Sequence, residues 1–221
     1  MTLAARIRNL SIFAALILVF PWMSGCQVQA APKTVLLCGF ENRPNPEANS
    51  LDPLSHFKYP VSQANDYLWE TSDYVILEPF NKLASQGRWC AKARFTVPGD
   101  LKVVTPDKKP KSWEAGMTLS TESGTKLSTT DWSPYHALTI DIYNPADKEY
   151  QAYLRVGDIH SKITATAALL KPNGRTVIGI AVTQLAEAWL DSKDIKFLTL
   201  YLDTADLTVD PVLYVDNVLL K

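Results

Sequence analysis

Apolar and polar positions alternate with period two along much of this chain. Leu138, Ile140 and Ile142 are interleaved with Thr139, Asp141 and Tyr143, and Ala152, Leu154 and Val156 with Gln151, Tyr153 and Arg155. Successive side chains of a strand project to opposite faces, so this period marks strands with one buried face. Other β-prone runs fall at 34–40, 74–77, 89–97, 112–120, 163–170, 176–182, 195–203 and 212–220, separated by turn residues. Asn173-Gly174 between two such runs predicts a hairpin. Only 183–190 reads as helical. A Pro-, Asn- and Ser-rich stretch at 43–72 and a lysine- and proline-rich loop at 98–111 interrupt the pattern. Short strands at regular spacing, without alternating long helices, predict an all-β, two-layered jelly-roll sandwich with one short helix.

The first residues follow another logic. Arg6 and Arg8 precede the apolar run 10–20, and Ser24-Gly25-Cys26 follows it. A basic start, a short apolar run and small residues before a cleavage point describe a secretory signal. Eleven residues are too few to cross a bilayer, which takes about 20. Met23-Ser24-Gly25-Cys26 resembles the lipobox of bacterial lipoproteins, which implies cleavage before Cys26 and its lipidation. Several acyl chains make a stable membrane anchor, whereas one is marginal. Residues 1–25 are then a signal peptide, 26–33 a tether and 34–221 one domain. By the same resemblance, Gln27 after the cysteine implies the outer membrane of the cell envelope. Cleavage after Ala30 also fits Val28-Gln29-Ala30 and would discard Cys26.

Charge narrows the partners. The chain has 22 Lys and Arg against 23 Asp and Glu, with no basic run, so nucleic acid is not expected. If Cys26 carries lipid, Cys38 and Cys90 remain as an even pair in an oxidising compartment. A bridge between them closes a loop of about 50 residues, worth up to ~4 kcal/mol. The alternative is two buried thiols acting as small hydrophobes. The histidines, His56, His136 and His160, show no metal-ligand spacing, and there is no nucleophile elbow or phosphate loop, so no enzymatic activity is expected. Of the tryptophans, Trp132 is expected in the core and Trp189 in packing, with Trp69 and Trp113 near loops that line a groove.

Several segments in order resemble family 11 carbohydrate-binding modules of the galactose-binding-like jelly-roll type. They are Gly39-Phe40-Glu41, Gly87-Arg88-Trp89-Cys90-Ala91-Lys92-Ala93, Asp131-Trp132-Ser133-Pro134-Tyr135-His136-Ala137-Leu138, Asp141-Ile142-Tyr143-Asn144-Pro145 and Leu213-Tyr214-Val215-Asp216-Asn217-Val218. The resemblance implies a structural Ca2+ held by Glu41 and Asp216, and an oligo- or polysaccharide bound on a sheet face. It also likens Arg155 and Asp158 to an arginine and an aspartate used by that family. The hard oxygens suit calcium, although turn backbone or Lys221 can equally satisfy both acids. The alternation places Asp141, Tyr143, Tyr153 and Arg155 on the outward side of neighbouring strands, where aromatic planes and fork-like polar groups suit a pyranose. A solvated face of the same composition is the plainer reading. The expected function is a non-catalytic, carbohydrate-binding, membrane-anchored module. The rival is a structural or protein-interaction lipoprotein of the same fold.

Overall fold

The structure, a computed structural model, describes residues 34–42, 66–72, 74–96, 114–123, 125–203, 207 and 209–221. The expected signal peptide, Cys26, the tether, residues 43–65, the 98–111 loop and Trp113 lie outside these. The described elements are β1 (Val35–Cys38), β2 (Glu70–Thr71), β3 (Val75–Phe80), β4 (Cys90–Phe95), β5 (Glu114–Ser120), β6 (Ala137–Asn144), β7 (Tyr150–Asp158), β8 (Ile163–Leu170), β9 (Gly174–Ala181), α1 (Val182–Glu187), β10 (Ile195–Asp203) and β11 (Val212–Leu220).

They form two antiparallel sheets. One runs β3-β4-β11-β6-β9, with β1 also paired to β11; the other runs β2-β5-β10-β7-β8. This is the all-β jelly roll that the period-two runs predict. Leu138, Ile140 and Ile142 of β6 face inward from the first sheet, and Ala152, Leu154 and Val156 of β7 from the second; all are fully buried. Each such leucine or isoleucine contributes about 1.5–3 kcal/mol by leaving water. Trp132 is fully buried as expected, its Nε1–H donating to the Thr129 carbonyl at 3.0 Å.

Two connections depart from the sequence expectation. β6 and β7 belong to different sheets, because the link between them passes over the sandwich edge instead of turning back within a layer. Asn144 pins that link: its Nδ2 donates to the carbonyls of Lys148 (2.8 Å) and Leu170 (3.3 Å), and its Oδ1 accepts from Ala146 N–H. The Asn173-Gly174 turn likewise joins β8 of one sheet to β9 of the other, and the two strands do not pair as a hairpin. Asn173 takes the left-handed backbone the turn needs, at φ 46°. Turn chemistry sets a chain reversal, not the sheet that receives the next strand.

α1 buries Val182 and Leu185. Past its end Trp189 sits at φ 62° with its side chain 85% exposed, so it does not pack as expected. Trp69, expected to line a groove, is buried and stacks on Phe40 at 5.8 Å. Cys38 and Cys90 are free buried thiols, not the expected disulfide. They lie on β1 and β4, which occupy successive stretches of one edge of β11, and each thiol turns to a separate carbonyl: Cys38 Sγ to Asp66 at 3.6 Å, Cys90 Sγ to Phe80 at 3.4 Å. Burial, reinforced by neighbouring carboxylates, pushes the Cys38 thiol up to about 12 and the Cys90 thiol up to about 11.

Candidate functional site

The outer face of the second sheet is built by β5, β10, β7 and β8. Register sets its rows. Tyr201 of β10 stands between Gly116 of β5 and Tyr153 of β7; Thr199 stands between Thr118 and Arg155; Phe197 stands between Ser120 and Gly157. The rows are about 7 Å apart along the strands, so Phe197 and Tyr201 lie ~13 Å apart with a polar row between them.

Glycine beneath the aromatics shapes this face. A Cβ on Gly157 would stand 2.3 Å from Phe197 Cε1, and one on Gly116 would stand 2.9 Å from Tyr201 Cβ. The Phe197 ring therefore lies over Gly157, in space that only a glycine leaves open. At the other end Tyr153 and Tyr201 stack with centroids 4.9 Å apart and 12° between planes. The Arg155 guanidinium lies 4.6 Å from the Tyr201 centroid, a cation–π contact. Between the two ends the Thr118 and Thr199 hydroxyls bond to each other at 2.8 Å. Apolar planes separated by hydroxyl and guanidinium groups suit a ligand with C–H faces and a polar rim.

Of the sequence candidates, the structure brings Tyr153 and Arg155 together here and places the others elsewhere. Asp141 and Tyr143 are on β6, on the outer face of the opposite sheet, so the four residues do not share one face. Tyr143 pairs across strands with Tyr214 and Arg175; Arg175 lies 5.7 Å over the Tyr143 ring and makes an ion pair with Asp141 at 3.4 Å. Phe80 extends that cluster, 4.7 Å from Tyr214.

Asp158 is 2% exposed and turned away from the face. Its Oδ1 accepts from the N–H groups of His160 and Lys162, both at 2.9 Å, and its Oδ2 from that of Asp191, also at 2.9 Å. Burial alone would raise its pKa, but these donors outweigh that and hold it below the ordinary carboxylate value. It clips two loops together.

Glu41 and Asp216 sit at the ends of another clip. Glu41 Oε1 accepts from Arg88 and Trp89 N–H at 2.8 and 3.0 Å. Asp216 Oδ2 accepts from Ser85 N–H (2.6 Å), Ser85 Oγ–H (2.8 Å) and Gln86 N–H (3.1 Å), and Oδ1 from Asn217 N–H. A cation needs oxygen lone pairs aimed at it, whereas these carboxylates are aimed at N–H and O–H donors. Among the described residues no cluster of three or more His, Cys, Asp or Glu side chains is placed to hold a metal. Turn backbone thus engages both acids, which is the alternative to the calcium that the resemblance implies.

Phe197, Thr199 and Tyr201 were missed by sequence reasoning. The signal was present: they alternate with Leu198, Leu200 and Leu202 as Tyr153 and Arg155 alternate with Leu154. Nothing in that alternation says that β10 lies beside β7.

No family model and no curated protein matches the chain. Among solved structures, an exo-β-agarase superposes with a TM-score of 0.53 at 14% identity, over 84% of this chain and 24% of its own. PfGH50B gives 0.50 at 14% identity, over 69% and 22%. A family 11 carbohydrate-binding module of the cellulosomal cellulase Lic26A-Cel5E of Clostridium thermocellum gives 0.49 at 14% identity, over 86% and 95%. The chain thus spans about a quarter of the length of the first two. At these identities the likeness is one of fold, an all-β jelly-roll sandwich.

Proposed function

We propose that this protein binds an oligo- or polysaccharide, without catalysis, on the outer face carrying Phe197, Thr199, Tyr201, Tyr153 and Arg155, and that a lipid on Cys26 tethers it to the bacterial cell envelope. The observation that carries the binding reading is the placing of aromatic side chains at the two ends of a threonine- and arginine-lined row, Phe197 over Gly157 at one end and Tyr153 stacked on the buried Tyr201 at the other. A planar ring stacks on the C–H face of a sugar, and hydroxyl and guanidinium donors meet its rim. The anchor rests on the lipobox-like Met23-Ser24-Gly25-Cys26 after the export signal.

The test uses residues 32–221, which contain both sheets and the whole described core. Electrophoresis through gels loaded with candidate polysaccharides should show retardation by at least one of them. Tyr153→Ala and Arg155→Ala should each weaken it about tenfold, equivalent to about 1.4 kcal/mol. Asp141→Asn and Tyr143→Phe, on the opposite sheet, should leave it unchanged. A folded domain retarded by no polysaccharide would defeat the binding reading and leave the protein-interaction alternative. For the anchor, radiolabelled palmitate should enter the full-length chain in a bacterial host and be absent from Cys26→Ala; equal labelling of both would exclude lipid at that residue.

A further inference from the structure

The edges of the two sheets are unequally protected. Unpaired strand edges invite pairing with other chains, and proteins blunt them with short strands, charges or proline. β2 has only two residues; β3 carries Glu78 and Pro79; β9 carries Arg175 at its start. β8 has none of these devices. Its sequence, ITATAALL, contains no charge and no proline over eight residues. It pairs with β7 in unbroken register from Tyr150↔Leu170 to Gly157↔Ile163, with no bulge to twist its other edge away. Among the described residues no strand pairs with that other edge. Ile163 and Leu169 expose 55% and 58% of their surface on its outer side.

We propose that this edge pairs with β8 of a second copy of the chain, antiparallel and about a two-fold axis through Thr166. Antiparallel pairing of a strand with itself satisfies its free N–H and C=O groups reciprocally, as a two-fold interface requires. Among the registers that set outward residues against outward ones, this one brings together Ile163 and Leu169, the two exposed large apolar side chains of β8. With the axis at Thr166, Ile163 faces Leu169 of the partner copy, Ala165 faces Ala167, and Thr166 faces its own equivalent. Every outward residue then meets an outward residue. Shifting the axis by half a residue would set outward positions against inward ones. Apolar pairs, small pairs and a threonine pair are each favourable across strands, and no like charges meet. The contact is small, so the dimer is weak and concentration-dependent. It joins the two outer faces into one continuous surface. The two Tyr153 positions then lie roughly 16 Å apart, three strand spacings across and one row along, which would let one long polymer engage both. The pairing itself does not depend on glycan binding.

Sedimentation equilibrium of residues 32–221 tests this. The weight-average mass should rise toward two protomers as concentration approaches ~100 µM. Ala165→Lys/Ala167→Lys, which sets lysine against lysine on exposed positions, should remain monomeric with an unchanged melting temperature. Ala165→Glu/Ala167→Lys, which sets opposite charges together, should still dimerise. Thr166→Cys should form an intermolecular disulfide under mild oxidation, and Thr164→Cys, which faces Ala168 in this register, should not. A wild-type domain monomeric throughout would overturn the proposal, as would a like-charge variant that dimerises as well as wild type. Cross-linking of Thr164→Cys but not of Thr166→Cys would overturn the register.

Discussion

Asp216→Ala is expected to lower the unfolding free energy by about 3 kcal/mol, since four part-buried donors lose their acceptor and each such loss costs on the order of 1 kcal/mol. Asp216 is 2% exposed and takes two backbone N–H groups and one hydroxyl from Ser85 and Gln86, besides Asn217 N–H. With Glu41 on Arg88 and Trp89, and Arg175 donating to the Leu83 carbonyl, it straps the segment between β3 and β4 to the sheet. The strap covers Cys90, which is fully buried. Two readouts follow. The urea midpoint should fall by roughly 1–2 M, taking a slope of about 2 kcal/mol per M. Cys90 should react faster with a thiol reagent, because exposure and the loss of the neighbouring charge both favour its thiolate. Burial raises the Asp216 pKa despite its donors. Its contribution is therefore greatest at low pH and is eroded as pH rises through the folded value. The same proteins test the metal: since the strap is held by N–H donors, a chelator should leave the wild-type melting temperature unmoved. A drop in wild type that is absent in Asp216→Ala would place a calcium ion at this residue.

Asp158→Ala should cost about 2–3 kcal/mol, somewhat less, because two of its three donors belong to exposed residues that water can reach. The three N–H groups it accepts come from two loops, 159–162 and the one containing Asp191, so the variant should unfold at lower urea and protect those amides less from hydrogen exchange. The pH dependence has the opposite sign to that of Asp216. The folded pKa lies below the ordinary carboxylate value, so the stabilisation is complete above that value and is lost as pH falls through the folded one. The gap between wild type and Asp158→Ala should be widest near neutrality and narrow on acidification below pH ~4. A gap that stays constant with pH would show that the ionised clip is not its source. If Asp158 touched a glycan, as the family resemblance implies, its loss would also weaken binding in the folded state; its burial predicts unchanged affinity.

Strand positions were legible because burial on one face imprints a period of two on the residues themselves. Leu138 to Tyr143 and Ala152 to Arg155 could be assigned inward or outward by inspection, and the structure agrees with each assignment. The candidate site was half legible. Tyr153 and Arg155 were found because they break from the apolar set on a strand that also carries Leu154. Asp141 and Tyr143 were found by the same rule and belong to the other surface of the molecule. Phe197 and Tyr201 satisfy the same rule, but nothing local in the chain sets them beside Tyr153.

Local residue order thus suffices for which side chains are inward on a strand, for the backbone conformation of a turn such as Asn173, and for the burial of Trp132. Those properties arise from alternation, torsional preference and apolarity within a few residues. Which strands become neighbours is decided by how two layers close over a common core: β10 meets β7 although β8, β9 and α1 intervene along the chain, and β11 meets both β1 and β4. A face for a ligand is made of such neighbours. The free thiols, the strapped segment beside Asp216 and the bare edge of β8 likewise come into being only when distant segments are packed together.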